Sequence, residues 1–452
     1  MSAAGLGSGA LWEALDAGEI KVGQLESLDA SGFPCSLGGE VKDVKARDYV
    51  PKSYRKATKV MARDTEIAVI AAQLAIADAG LASRGSGETG ASATEDDAHA
   101  LTPGRTGCQI GAGLLSAEVN ELTAALSTST DPDGRFDLRR WGGNSSGDGG
   151  GENAMGNLPP LWMLKYLPNM LACHVTIIHG AEGPSNTITC AESSGILCVG
   201  EASRVIERGD ADVCFAGGAE SKLNPLGLLR LTFAKRLATT GDAADASGFA
   251  LPYADSSTGG LPGEGGAILL VESKEHAESR GAGIYAGVAG FGAGHSGVPM
   301  FPGVFDGDQP AAHADQGLVR AIQAALDDAA ITPDQIDAIV PGALGVPSAD
   351  SGELNALRTV FGDRLGEIET ITLAPNIGVT AAGHGALLLS VGAEAVRRQQ
   401  LPARLHAGEA PEGFRIGACA ARDAALHNVL VCTPSLGGQV GAIVLRRAGD
   451  HA

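Results

Sequence analysis

Six residues near position 265 recur near position 440 at one constant spacing, and this echo limits the fold more than any other feature of the chain. Leu261, Gly263, Gly266, Ala267, Ile268 and Leu270 reappear as Leu436, Gly438, Gly441, Ala442, Ile443 and Leu445, each 175 positions later. Each copy reads as a glycine turn feeding a buried strand, and each closes one half of the chain. Chance likeness between two glycine-strand units is the competing reading, but six matches at one offset favour duplicated α/β halves. A length of 452 residues accommodates two or three structural units.

The stretch from Gly183 to Ser221 carries the chemistry-bearing pattern. It reads as an extended segment, a sharp turn at Cys190–Ser194, an amphipathic helix to about Arg208 and then a buried strand. The first amides of a helix have no intrahelical partner, and the helix dipole favours negative charge beside them. Glu192 stands at that point.

Other elements follow from periodicity and punctuation. Ile67, Ile70, Leu74 and Ala77 mark a helix over Thr65–Ala79 that Gly80 ends. TGCQIGAGL, 106–114, and GEGGAILLVES, 263–273, read as buried strands, and Tyr285–Gly292 as a strand opening the second half. Leu318–Ala329 is a helix, Thr332-Pro333 an N-cap with proline in the first turn, and Ile336–Val340 a strand. Helices over Glu353–Phe361 and Ala381–Arg398 and strands over Asn428–Cys432 and Ala442–Arg446 complete the pattern. The halves are placed at 1–275 and 276–452. Polar, glycine-rich stretches near 83–105 and 128–156 are expected to be surface insertions and the least ordered parts.

Composition bounds the function. A net charge of −20, from 33 basic and 53 acidic residues, argues against general nucleic-acid binding. The eight cysteines show no C-x-x-C spacing and read as reduced thiols of a cytoplasmic protein, with no metal site among them. The opening MSAAGLGSGALWEAL lacks the charge and apolar run of a signal peptide. The most apolar region, Leu158–Ile178, is broken by Lys165, Asn169 and prolines, so no membrane span is expected.

Taken together, Gly183-Pro184, Ser194-Gly195, Arg204, GDADVCFAGGAES at 209–221, Pro225-Leu226-Gly227, Gly263-Glu264-Gly265, Asp350 with Glu353 and the closing SLGGQVGAIVL at 435–445 resemble the β-ketoacyl synthase family of condensing enzymes. The resemblance runs from about Leu11 to the end. It implies an α/β thiolase-like fold, two duplicated βαβαβαββ halves in α-β-α-β-α layers, and no cofactor. The family opens with an apolar strand and a Thr-Gly-Leu-Gly turn. Only AAGLGSG is present here, so that strand is expected to be missing or the start to be placed late.

Members carry a nucleophilic cysteine eight residues after the proline of Gly-Pro and three before the glycine of Ser-Gly. Both counts land on Glu192. The first catalytic histidine falls at Gly342, the supporting lysine at Ala374, the second histidine at Val379 and the phenylalanine gate at Leu436. His384 lies five residues late and reads as a helix-face histidine. A thiolate accepts an acyl group from a carrier thioester, whereas a carboxylate would give only a reactive mixed anhydride.

The pattern is similar to the chain-length-factor subunits of type II polyketide systems, which pair with an active ketosynthase, although those commonly carry glutamine at the nucleophile position. The resemblance then implies a non-condensing subunit in a heterodimer, or a homodimer, formed through the strand 184–189. Two alternatives stay open: an acyl-thioester enzyme using Glu192 as acid or base, and a ketosynthase using Cys190. Arg55, Lys56 and Lys59 fall where such enzymes have a basic helix receiving the acyl carrier protein, and a solvated helix face explains them equally well.

Overall fold

Apolar runs separated by glycine and proline alternate between strand and helix in both halves. The computed structural model describes residues 1–86, 99–114, 116–142, 154–249, 251–296 and 313–449. The portions 87–98 and 143–153 of the expected insertions lie outside the described residues. In the first half the principal elements are α1 (Gly7–Asp16), α2 (Arg63–Ala79), β1 (Thr106–Gly111), α3 (Met170–His179), β2 (Ser185–Ile188), α4 (Ser194–Glu207), β3 (Val213–Ser221), α5 (Pro225–Phe233) and β4 (Glu264–Glu272). In the second half they are β5 (Gly287–His295), α6 (Gln316–Asp328), β6 (Ala338–Val340), α7 (Pro347–Phe361), β7 (Glu369–Thr370), α8 (His384–Arg398), β8 (Asn428–Thr433) and β9 (Gln439–Arg446).

Two sheets of matching order result. The first runs β2-β1-β3-β4, with β4 antiparallel to its parallel neighbours. The second runs β7-β6-β8-β9-β5, again with three parallel strands followed by an antiparallel β9. The echo at 175 therefore marks β4 and β9, strands with the same place in the two sheets. Beyond β9 lies β5. On the equivalent edge of β4, Met1 exchanges both backbone hydrogen bonds with Gly266, 2.9 Å each.

The layers follow from which faces are apolar. Ile196, Val199 and Val205 of α4 and Leu387, Leu388 and Val391 of α8 fill the space between the sheets with Val340, Val431 and Ile443. Ile67 and Ile70 of α2 and Val175 of α3 cover the outer face of the first sheet over Ile110 and Phe215. Leu318 and Ile322 of α6 and Leu357 of α7 do the same for the second over Leu430 and Val444. This is a thiolase-like α-β-α-β-α architecture.

The two central helices begin alike. A single 3-10 turn precedes each, Ala191–Ser193 before α4 and Ala381–Gly383 before α8. Ala191 and Ala381 hold left-handed φ values of 44° and 46°, a conformation costly for a residue with a Cβ and kept only where the surroundings enforce it. The helices touch where they start. A Cβ on Gly195 would stand 2.5 Å from Ala386 N, and one on Gly385 would stand 2.8 Å from Glu192 O.

Some local expectations shift. α7 begins at Pro347, six residues before the expected Glu353, because Pro347 sits comfortably in a first turn. The basic segment forms two 3-10 turns, Lys52–Tyr54 and Ala57–Val60, rather than a helix. α3 turns the apolar run before Gly180 into a ten-residue helix closed by that glycine at φ 73°. No helix among the described residues is long and apolar enough to cross a membrane.

Candidate functional site

The tight turn before α4 points Glu192 into the protein, 4% exposed. Ser194 Oγ accepts the amide of Cys190 at 2.8 Å. Ser193 Oγ reaches Cys190 O at 2.9 Å and Gln439 O at 3.0 Å, tying the turn to β9. Strain at Ala191 is thus held by hydrogen bonds on both sides.

Two distant segments close on the Glu192 carboxylate. Arg236, in the connection between α5 and β4, brings Nη2 to 2.6 Å from Oε1. The amide of Leu436, in the turn between β8 and β9, donates to Oε2 at 2.9 Å. Burial alone would raise the pKa of this carboxyl. The charge of Arg236 and the amides of Leu436 and of Glu192 itself outweigh that and hold it below the ordinary carboxylate value. The group is an ionised, fully partnered carboxylate.

His384, the first residue of α8, lies completely buried beside this pair. Its Nε2 stands 3.1 Å from Gly342 O. A carbonyl only accepts, so Nε2 carries the proton and Nδ1, with no hydrogen-bond partner, is a lone pair. Burial keeps the ring neutral by lowering its pKa.

The other positions named from the resemblance carry no reactive side chain. An ideal Cβ on Gly342 would meet Thr433 Oγ1 at 2.5 Å and Pro434 Cδ at 3.0 Å, so that position is closed to a larger residue. Ala374 is buried and lines a crevice with Leu344 and Leu261 whose volume is about 10 Å³, room for a single water. Val379 is half-buried and exchanges backbone hydrogen bonds with Leu261 and Gly263. Leu436 is half-buried, and its amide is the part that reaches the site.

The loop holding Gly342 is set by two buried acids of α7. Glu353 accepts the amides of Gly342 at 2.9 Å and Ala343 at 3.1 Å and the Tyr253 hydroxyl at 2.6 Å. Asp350 accepts the amides of Leu344, Gly345 and Tyr253 between 2.8 and 3.0 Å. Burial pushes Asp350 up to about 7 and Glu353 up to about 8 against these donors.

Cys190 is half-buried on the strand side of the turn, and burial raises its pKa. That is the opposite of an activated thiol. Lys56 and Lys59 are exposed, while Arg55 is half-buried with its Nε enclosed and without a hydrogen-bond partner. β2 forms an outer edge of the first sheet. Among the described residues no group of three or more His, Cys, Asp or Glu is placed to hold a metal ion.

Arg236, Tyr253 and the inward turn of His384 are the contributions that sequence reading missed. The available signal for Arg236 was slight, an arginine directly before Leu237-Ala238, which are both buried.

Comparison with known proteins decides the family. The model of the β-ketoacyl synthase N-terminal domain matches residues 2–277, and that of the C-terminal domain matches residues 303–408. The chain belongs to the β-ketoacyl synthase family. Among the relatives of this ketosynthase-like chain, the 3-oxoacyl-[acyl-carrier-protein] synthase 2 of Staphylococcus aureus is 26% identical over 88% of this chain and 85% of its own. The tetracenomycin polyketide synthase ketoacyl synthase beta subunit of Streptomyces glaucescens is 28% identical over 98% of this chain and 96% of its own. The ishigamide ketosynthase/chain length factor superposes with a TM-score of 0.77 at 23% identity, covering 99% and 97% of the two chains. A type II polyketide ketosynthase in complex with its acyl-carrier protein, AntDE:AntF, superposes at 0.75 and 20% identity over the same shares. These likenesses establish the thiolase-like fold of the family and a resemblance to a polyketide ketoacyl synthase beta subunit.

Proposed function

We propose that this β-ketoacyl synthase-like chain is a non-condensing subunit of fatty acid or polyketide biosynthesis. It pairs with an active ketosynthase and shapes the acyl chain or tunnel. The observation that carries this is the state of Glu192. Condensation needs a nucleophile at the start of α4 that takes and releases an acyl group. Here that place holds an ionised carboxylate engaged by Arg236 and Leu436, with Gly, Ala and Val at 342, 374 and 379.

The alternatives fare less well on the same geometry. Acid or base work by Glu192 calls for a pKa raised toward neutrality, and its pKa is lowered. Use of Cys190 calls for a lowered thiol pKa, and its pKa is raised.

The partner is placed at the open edge of β2, with the division into halves near 275. A parallel ladder turns alternate residues toward β1. Thr187 lies between the residues engaged with it, and its amide is covered only by Asn186 Oδ1 at 2.8 Å. That edge is suited to pairing across a two-fold axis with a second thiolase-like subunit. An acyl carrier protein, which complexes with the ketosynthase in the AntDE:AntF structure, is assigned to the exposed Lys56 and Lys59 with Arg55. A cytoplasmic location accords with this reading.

The test is affinity purification of the tagged chain co-expressed with a ketosynthase from the same source that carries the full Cys-His-His set. A one-to-one complex that is lost in Thr187→Pro supports the reading. Recovery of this chain only with copies of itself sinks the heterodimer.

A further inference from the structure

Glu192 is bound as a ligand is bound. Its two oxygens take separate donors from separate segments: a guanidinium at 2.6 Å on one and the Leu436 amide at 2.9 Å on the other. The segments have no connection in sequence, Arg236 lying 44 residues and Leu436 244 residues away. Arg236 is itself only 7% exposed, and a buried guanidinium with no carboxylate would be an unpaired charge in a low-dielectric interior. Its backbone is equally fixed, since Arg236 O accepts the amide of Gly260 at 2.9 Å and Ala238 donates to Gly260 O at 2.9 Å. The backbone that carries Arg236 is therefore held by bonds that do not involve Glu192.

We propose that this is a built carboxylate site whose ligand has become part of the chain. The Glu192 side chain, recognised by Arg236, fastens the turn bearing Leu436 and the connection bearing Arg236 onto the start of α4. Emptied of that side chain, the site takes a small free monocarboxylate of the formate or acetate class. The charge pairing with Arg236 gives selectivity for an anion, and the guanidinium and the Leu436 amide, each on its own oxygen, give selectivity for a pair of coplanar oxygens. The inference concerns how the seat is filled and holds whether or not the chain pairs with a ketosynthase. Its failure would leave the co-purification result untouched.

The experiment measures thermal unfolding of Glu192→Ala in sodium formate, sodium acetate and sodium chloride at equal ionic strength. The expected result is a saturable rise in Tm with formate and acetate beyond that of chloride, absent in the unaltered protein and in Glu192→Ala/Arg236→Ala. Equal responses to acetate and chloride, or an undiminished acetate response in the double variant, overturn the proposal. Should Glu192→Ala not fold, hydrogen exchange of the Leu436 amide in Glu192→Gln decides. Loss of the charge-assisted bond predicts exchange about tenfold faster or more, and an unchanged rate contradicts the fastening.

Discussion

Arg236 and Glu192 form an ion pair of 2.6 Å with side chains only 8% and 5% exposed, joining the start of α4 to a connection 44 residues further on. Such a pair gains little over a well-packed apolar replacement, yet removing one member leaves an uncompensated buried charge. The asymmetry gives the first prediction. Arg236→Met alone lowers unfolding free energy by about 3–5 kcal/mol, and Glu192→Leu/Arg236→Met lowers it by less than the single change. Urea unfolding of the three proteins checks this, and a double variant as unstable as the single would refute the pairing account.

Acidity and stability are linked through the acids of α7. Asp350 and Glu353 are raised to about 7 and about 8 in the folded protein, above their unfolded values near 4. The folded state therefore holds protons that the unfolded state has released, and stability falls as pH rises from about 4 toward 8. The unfolding free energy from urea titration is expected to be lower at pH 9 than at pH 6, by about 4 kcal/mol, with a smaller drop in Glu353→Gln. Glu192 runs the other way, since its lowered pKa contributes stability above its unfolded value that is lost as pH falls through the folded one. A flat profile between pH 6 and 9 would contradict the assignment for α7.

A thiol placed at the seat should be activated by what surrounds it. Glu192→Cys puts sulfur at the start of a 14-residue helix beside the Arg236 charge, and both lower a thiol pKa. Iodoacetamide at pH 6.5 is expected to alkylate Cys at 192 at least tenfold faster than Cys190, an order-of-magnitude figure for a shift of about one unit. Peptide mapping reads the ratio. Equal rates would mean that the seat no longer stabilises an anion.

Carrier docking rests on exposed charge. Lys56→Glu/Lys59→Glu is expected to weaken binding of the acyl carrier protein about tenfold at low salt and much less at high salt, since exposed charges are screened over roughly 10 Å at 0.1 M. Titration at two ionic strengths checks it. Unchanged affinity at low salt would return these lysines to the role of a solvated surface.

Much of this fold was legible because its rules are local. Gly80 after an apolar helical stripe, the Thr332-Pro333 cap and the glycine turns before β4 and β9 each announce themselves within a few residues, and the 175 spacing pairs the two halves. The turn that carries Glu192 into α4 was legible from the sharp entry at Cys190–Ser194 ahead of an amphipathic helix. Its partners were not, because Arg236 and Leu436 arrive through long-range chain closure that no local pattern encodes. The burial of His384 was not legible for a related reason. Its helix packs between two sheets, so the usual outward face of a helix does not exist there.

On the proposed function, the turn at the start of α4 takes no acyl group. Intact-protein mass spectrometry after incubation with an acyl-carrier or acyl-CoA donor tests it most directly, with an active ketosynthase as the positive control. The account predicts an unchanged mass for this chain. An acyl adduct at near-stoichiometric yield, mapped to Cys190 or Glu192, would contradict it.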